Sequence, residues 1–182
     1  AIKFLYSNPK ESMKILEALT EVSIEYVRNQ SKHGIECFQL FETYSGLIPE
    51  QVYIEKILPL SKNILNEARN NGLPTIFFPK GLGNGLSYIT KDVCDFLSVD
   101  WQMNLKHARK IISRDIGIQG NIDPRILYSS YNDIEGYLST LKSFGEKNNN
   151  WIINLGHGFL PDIDYKKAKF VVEWIKETNW KR

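Results

Sequence analysis

A histidine set between two glycines stands out in Asn154-Leu155-Gly156-His157-Gly158-Phe159-Leu160-Pro161, which follows directly on the apolar run Trp151-Ile152-Ile153. Imidazole titrates near neutrality, so it can take or give a proton at a cleft mouth. Glycine on both sides lets the backbone approach a ligand or adopt positive φ, and leaves the ring unhindered. The chain has three histidines. His33 falls at a helix end, where a cation suits the dipole, and His107 on a helix face. Neither has metal-ligand spacing with a partner. His157 is the candidate catalytic residue.

Other strand exits offer further groups. Phe41-Glu42-Thr43-Tyr44-Ser45-Gly46 places an aromatic, an acid and two hydroxyls together. A hydroxyl there can hold a substrate carboxylate or a ring N–H, or Thr43 and Ser45 can simply form a turn with Gly46. Lys80-Gly81-Leu82-Gly83-Asn84-Gly85 invites comparison with a phosphate loop, but the lysine precedes the glycines and the spacing fits neither phosphate-binding fingerprint. A tight, flexible loop lining a cleft is the better reading. Asp100, between Val99 and Trp101, should be half-buried and therefore paired. Asp123, before Pro124, reads as a helix cap.

These groups need elements to position them. Five strand-like runs are visible: Glu36–Glu42, Thr75–Lys80, Phe96–Trp101, Ile116–Gln119 and Trp151–Leu155. Helical patterns alternate with them. The first runs from Asn8, with Pro9 in the first turn and Glu11 completing a capping-box-like arrangement, to about Asn29, and Gly34 then turns the chain toward the first strand. The second spans about Glu50 to Asn71 and stops at Gly72, with Pro59 kinking or dividing it. Others cover Leu105 to Ser113, a turn at Asp123-Pro124, Asp133 to Gly145, and Asp164 through Ile175. Strands separated by helices predict an α/β fold with a parallel sheet, open or closed into a barrel, in which ligands gather at the strand exits.

Composition narrows the class. The 182 residues are 42% hydrophobic and carry a net charge of +2, as expected for one soluble globular domain and giving no electrostatic signature of nucleic-acid binding. No run approaches the roughly 20 apolar residues of a membrane helix, and no secretion-signal pattern opens the chain, so a cytoplasmic location is expected. Cys37 and Cys94 lie in apolar surroundings without a CxxC partner and read as reduced, buried thiols.

Several segments together resemble the uroporphyrinogen decarboxylase family: "FLYSNP" before the first helix, "QLFETYSG", "FFPKG", "VDW", "IQGNIDPRILYSS" and "NLGHGFLPDID", in family order over almost the whole chain. The last two are the most specific. The resemblance implies a (β/α)8 TIM barrel, of which this chain is the C-terminal portion. It also implies an enzyme, usually a homodimer, that converts the acetate side chains of uroporphyrinogen III to methyls, giving coproporphyrinogen III, with no metal or cofactor. A protonated pyrrole serves as the electron sink for departing CO2. By the same resemblance His157 is the active-site histidine, Thr43 the substrate-contacting hydroxyl residue, and Phe41 a wall of the cleft.

Family members are much longer. The part without a counterpart here contains the substrate-binding arginines, an aspartate beneath the pyrrole nitrogens and a tyrosine, so neither Asp100 nor Asp123 inherits that aspartate's role. A closed barrel needs eight strands against the five visible here, and the chain alone is expected to be inactive. Two other readings stand beside this one. A corrinoid or thiol methyltransferase of the same superfamily needs a zinc-binding thiolate at a strand exit, and neither cysteine occupies one. A barrel piece that binds a tetrapyrrole without turnover is the other. A plastid-type organelle is a second location compatible with the family.

Overall fold

A computed structural model describes residues 1–180. Five parallel strands pair in chain order: β1 (Phe38–Glu42), β2 (Thr75–Pro79), β3 (Phe96–Ser98), β4 (Gly117–Gln119) and β5 (Trp151–Ile152). Strictly sequential order has no point at which the winding reverses. That separates the two architectures left open by periodicity: this is barrel order, without the switch point of a doubly wound sheet. All five predicted strands are present but shorter than expected. β1 begins at Phe38, β3 ends at Ser98, and Val99-Asp100-Trp101 belongs to the exit loop. Beyond β5 the ladder continues only as a bridge between Ile122 and Leu155.

The helices follow their signals with instructive exceptions. Ile2–Ser7 is helical (α1), so Asn8 joins two helices, and its backbone N–H bonds to Phe4 O. The expected side-chain cap of α2 (Pro9–Lys32) consequently does not form, and the Asn8 amide turns to Ser7 Oγ at 2.8 Å. His33 ends α2, and Gly34 follows at φ +78°. The helical run from Glu50 is divided as Pro59 requires. A short α3 (Glu50–Val52) gives way to a π-helical segment, Tyr53–Ile57, before α4 (Leu58–Asn70). Proline has no N–H to offer the preceding turn, and a wider turn absorbs the loss. Asn104 caps α5 (Leu105–Ile111), Asp123 a 3-10 turn over Pro124–Tyr128, Ser130 α6 (Tyr131–Gly145) and Asp164 α7 (Tyr165–Glu177), each through a side-chain oxygen.

Alternation along the strands sorts the two faces. Outward residues such as Phe77, Leu97, Val99, Ile116 and Ile118 join Tyr53, Leu65 and Ala68 in one buried core beneath the helices. A second cluster of Ile122, Leu127, Ile134, Leu138, Ile163 and Val171 holds α6 and α7 together. The inward face is the polar one. Cys94 lies in the core, and burial pushes its thiol up to about 12. Cys37, in contrast to the expectation of two buried thiols, is exposed, because it precedes the first residue of β1 and lies outside the layer the helices cover.

β1 and β5 are the outer strands of the sheet. Beside β1, α2 exposes Ile15, Leu19, Val22 and Tyr26, whose spacing is that of one helical face. With Ile2, Phe4 and Ile48 this face borders an apolar groove of about 560 Å³. Exposed apolar area of this kind attracts environment-sensitive dyes and self-association. Replacing Leu19 and Val22 together by Lys should reduce dye fluorescence and aggregation while changing unfolding free energy by no more than about 0.5 kcal/mol per site, as measured by urea denaturation.

Candidate active site

The carboxyl ends of the strands open onto a cleft of about 400 Å³. Gln39 and Phe41 of β1, Phe78 of β2, Ser98 of β3 and Gln119 of β4 line it from the sheet, with Thr43, Asn154, Leu155, His157, Gly158 and Phe159 from the exit loops. Thr43, Phe41 and His157, proposed from opposite ends of the chain, meet in this one hollow. Neither cysteine borders it. Among the lining residues His157 is the only side chain that titrates, and none carries a fixed charge.

The ring of His157 is exposed and stands edge-on to Trp101, with centroids 5.7 Å apart and planes at 88°. Its Nδ1 lies 3.3 Å from Gly158 O, which leaves Nε2 directed elsewhere. Lys80 Nζ and the Arg125 guanidinium lie 5.3 Å and 5.7 Å from the Trp101 ring centre, so two cations gather at the indole that His157 meets. The flanking glycines prove to have different duties. A Cβ on Gly156 would meet Trp101 N at 2.4 Å, so this glycine serves the close packing of two exit loops rather than approach to a ligand. Gly158 has open space around it, and neither glycine takes positive φ.

The hydroxyls of the first exit divide in the same way. Ser45 is buried and donates to the carbonyls of Glu42 (3.0 Å) and Lys80 (2.7 Å), while Gly46 packs its backbone on Gly81. Ser45 and Gly46 therefore make the turn, and Thr43 is left facing the cleft. Glu42 points behind the strand. Ser61 Oγ donates to its carboxylate at 2.9 Å, and burial pushes the carboxyl above its ordinary range while this hydrogen bond pulls it back. It borders the apolar groove, not the cleft.

Asp100 is buried and paired, with backbone partners. Its carboxylate accepts from Gly81 N (2.7 Å) and Gln102 N (2.9 Å). Its own carbonyl accepts from Asn121 Nδ2 at 2.9 Å. The glycine loop after Lys80 is thereby pinned to the third exit, and Gly81 and Gly83 line a separate hollow of about 330 Å³ beside Asp100 and His107. The loop thus is tight and lines a cleft, as expected, but one separate from the main hollow. Asp123 caps its turn and is held below the usual carboxylate range by the Arg125 side chain donating to it. The inward residues Gln39, Ser98, Gln119 and Phe78 were not singled out in the sequence. Period-two counting from Phe41 along β1, and from the polar residues of β3 and β4, is the signal that marks them.

Substitution separates the glycines. Gly156→Ala should destabilise the fold by about 1–3 kcal/mol, the cost of forcing an atom into a packed position, whereas Gly158→Ala should leave the melting temperature near wild type. Thermal unfolding of both variants checks this, and equal losses would contradict the division.

Comparison with known proteins agrees with this geometry. A family description of uroporphyrinogen decarboxylase (URO-D) matches residues 1–178. A uroporphyrinogen decarboxylase of Francisella tularensis subsp. novicida (strain U112) is 34% identical over 97% of the chain, and one of Geobacter sp. (strain M21) is 31% identical over 98%; the chain spans 52% of each. Among solved structures, a methyltransferase from Methanosarcina mazei superposes with a TM-score of 0.82 at 16% identity, covering 97% of this chain and 52% of that one. This likeness concerns the fold, a segment of a TIM-type barrel. By the extent of the match and the coincidence of its motifs with the cleft, the chain belongs to the uroporphyrinogen decarboxylase family.

Proposed function

We propose that this chain forms part of a uroporphyrinogen decarboxylase, supplying the wall of the substrate cleft that carries His157, Thr43 and Phe41. The observation that supports this most is the convergence of two motifs more than a hundred residues apart, "LFETYSG" and "NLGHG", on one hollow at the carboxyl ends of the strands. In the reaction, an acetate side chain of the macrocycle loses CO2 once its pyrrole has been protonated. The C–C bond breaks, its electron pair passes into the ring cation, the exposed methylene takes up a proton, and the ring releases one. Net, each acetate and one proton give a methyl and CO2. His157 Nε2 is the group of this chain suited to contact the macrocycle or handle one of these protons. Thr43 orients the substrate by a neutral hydrogen bond, and Phe41 excludes water from one side.

The main acid and the cations that neutralise the substrate's carboxylates belong to the remainder of the relatives' length. The chain alone binds tetrapyrrole but does not turn it over. The same reading carries a homodimer of the complete enzyme, a cytoplasmic location and no nucleic-acid partner. It requires no metal or organic cofactor from this chain. A methyltransferase reading needs a thiolate at a strand exit. Cys37 and Cys94 instead precede β1 and β3, at the opposite end of the strands from the cleft.

In the complete enzyme, His157→Asn should lower kcat and change which partially decarboxylated intermediates accumulate, with little loss of stability, because an exposed side chain packs little. Thr43→Ala should be milder, about 0.5–1.5 kcal/mol in kcat/KM. Chromatography of reaction products checks both. An unchanged intermediate pattern in His157→Asn, or coproporphyrinogen released by the 182-residue chain alone, would contradict the assignment.

A further inference from the structure

The floor of the cleft carries a hydrogen-bonded chain with no task in the reaction as described so far. Gln119 Nε2 on β4 donates to Ser98 Oγ on β3 at 3.1 Å and to Gln39 Oε1 on β1 at 3.3 Å. Ser98 and Gln119 are each only 4% exposed, yet both border the cleft, as Gln39 does. A primary amide offers two N–H donors and a carbonyl acceptor, and a hydroxyl offers one donor. Gln119 commits its N–H groups to its neighbours. Among the described residues, the Ser98 O–H and the Gln39 amide N–H groups are left without an acceptor. Ser98 is buried and Gln39 half-buried, and donors that face a hollow suit an acceptor bound there. Phe41 and Phe78 border the same hollow edge to face, with centroids 6.1 Å apart. Among the described residues that line the hollow, none is Lys, Arg, Asp or Glu.

We propose that Ser98, Gln39 and Gln119 form a carboxylate subsite of neutral donors that seats the acetate about to lose CO2. This rests on the decarboxylase reading above. The physical reason is charge. A cation against the reacting carboxylate would stabilise it more than the neutral CO2 it becomes, and so would raise the barrier. Neutral donors fix the direction of the C–C bond while leaving the carboxylate's electron pair free to enter the ring. Gln119 touches the carboxylate less directly than it positions the other two: its amide holds Ser98 Oγ and Gln39 Oε1 so that their hydrogens face the hollow. Carboxylates that are not reacting can pair with cations at the rim. The floor must accept the short acetate arm, and a methyl in that position gives these donors nothing to bind.

Porphyrin binding tests this directly. Uroporphyrin carries acetates where coproporphyrin carries methyls, and both keep their propionates. The 182-residue chain is titrated with each, following porphyrin fluorescence. Wild type should bind uroporphyrin more tightly. Ser98→Ala and Gln39→Leu should each weaken uroporphyrin binding by about two- to tenfold, the range of one neutral hydrogen bond, and leave coproporphyrin unchanged. Ser98→Thr, which keeps the hydroxyl, should restore the preference. Circular dichroism shows whether each variant is folded; should Ser98→Ala not fold, Gln39→Leu on the outer strand decides. Variants that keep the wild-type preference, or that weaken both porphyrins equally, overturn the subsite and leave the decarboxylase reading standing. Wild type that binds neither porphyrin overturns both.

Discussion

The carboxylate of Asp100 holds the site together without belonging to its chemistry. By accepting from Gly81 N and Gln102 N it ties the second strand exit to the third, and through its own carbonyl and Asn121 it ties the third to the fourth. The fifth exit then rests on this assembly, because Gly156 lies directly against Trp101 N. His157 occupies its position as a consequence of that stack. A carboxylate buried among backbone N–H groups is well compensated without a cation, which explains how an acid can sit deep in the exit layer of a parallel sheet.

A division of labour follows. Groups with charge or strong hydrogen-bonding capacity at the exits are largely spent on architecture: Asp100 on loops, Asp123 on a cap with Arg125, Ser45 on a turn, Glu42 on Ser61 behind the strand. What faces the cleft is aromatic, amide or hydroxyl, with one imidazole, one leucine and one glycine. Two cations, Lys80 and Arg125, stand at Trp101 beside the His157 loop rather than in the hollow itself. The outer edge of β1 and the apolar face of α2 show the same economy on the larger scale. Both are uncovered among the described residues, and the chain spans about half the length of the relatives it matches.

Much of this was legible in the sequence, and the failures have physical causes. Strand number, alternation with helices and the break at Pro59 depend on short-range patterning and are present as expected. Strand ends were read too long because apolar residues continue into the exit loops: Val99 is buried in the core although β3 stops at Ser98. The capping box at Asn8 does not form because the preceding Ile2–Ser7 is itself helical and the Asn8 amide turns to Ser7 Oγ. Burial of Asp100 was foreseen from its apolar neighbours, but its partners are backbone groups distant in sequence that no local pattern reveals. The glycines around His157 look equivalent in sequence, and only the third exit distinguishes them. The amide and hydroxyl floor escaped notice because Gln39, Ser98 and Gln119 come from three strands and become neighbours only on the concave face.

The proposed function puts a tetrapyrrole in the hollow at the carboxyl ends of the strands. Amide chemical-shift mapping of the isotope-labelled chain during titration with uroporphyrin addresses it directly. Perturbations confined to Thr43, Ser98, Gln119, His157 and Phe159 are the predicted result. Perturbations confined to Phe4, Ile15 and Leu19 along the apolar groove, with the strand exits unmoved, would contradict it.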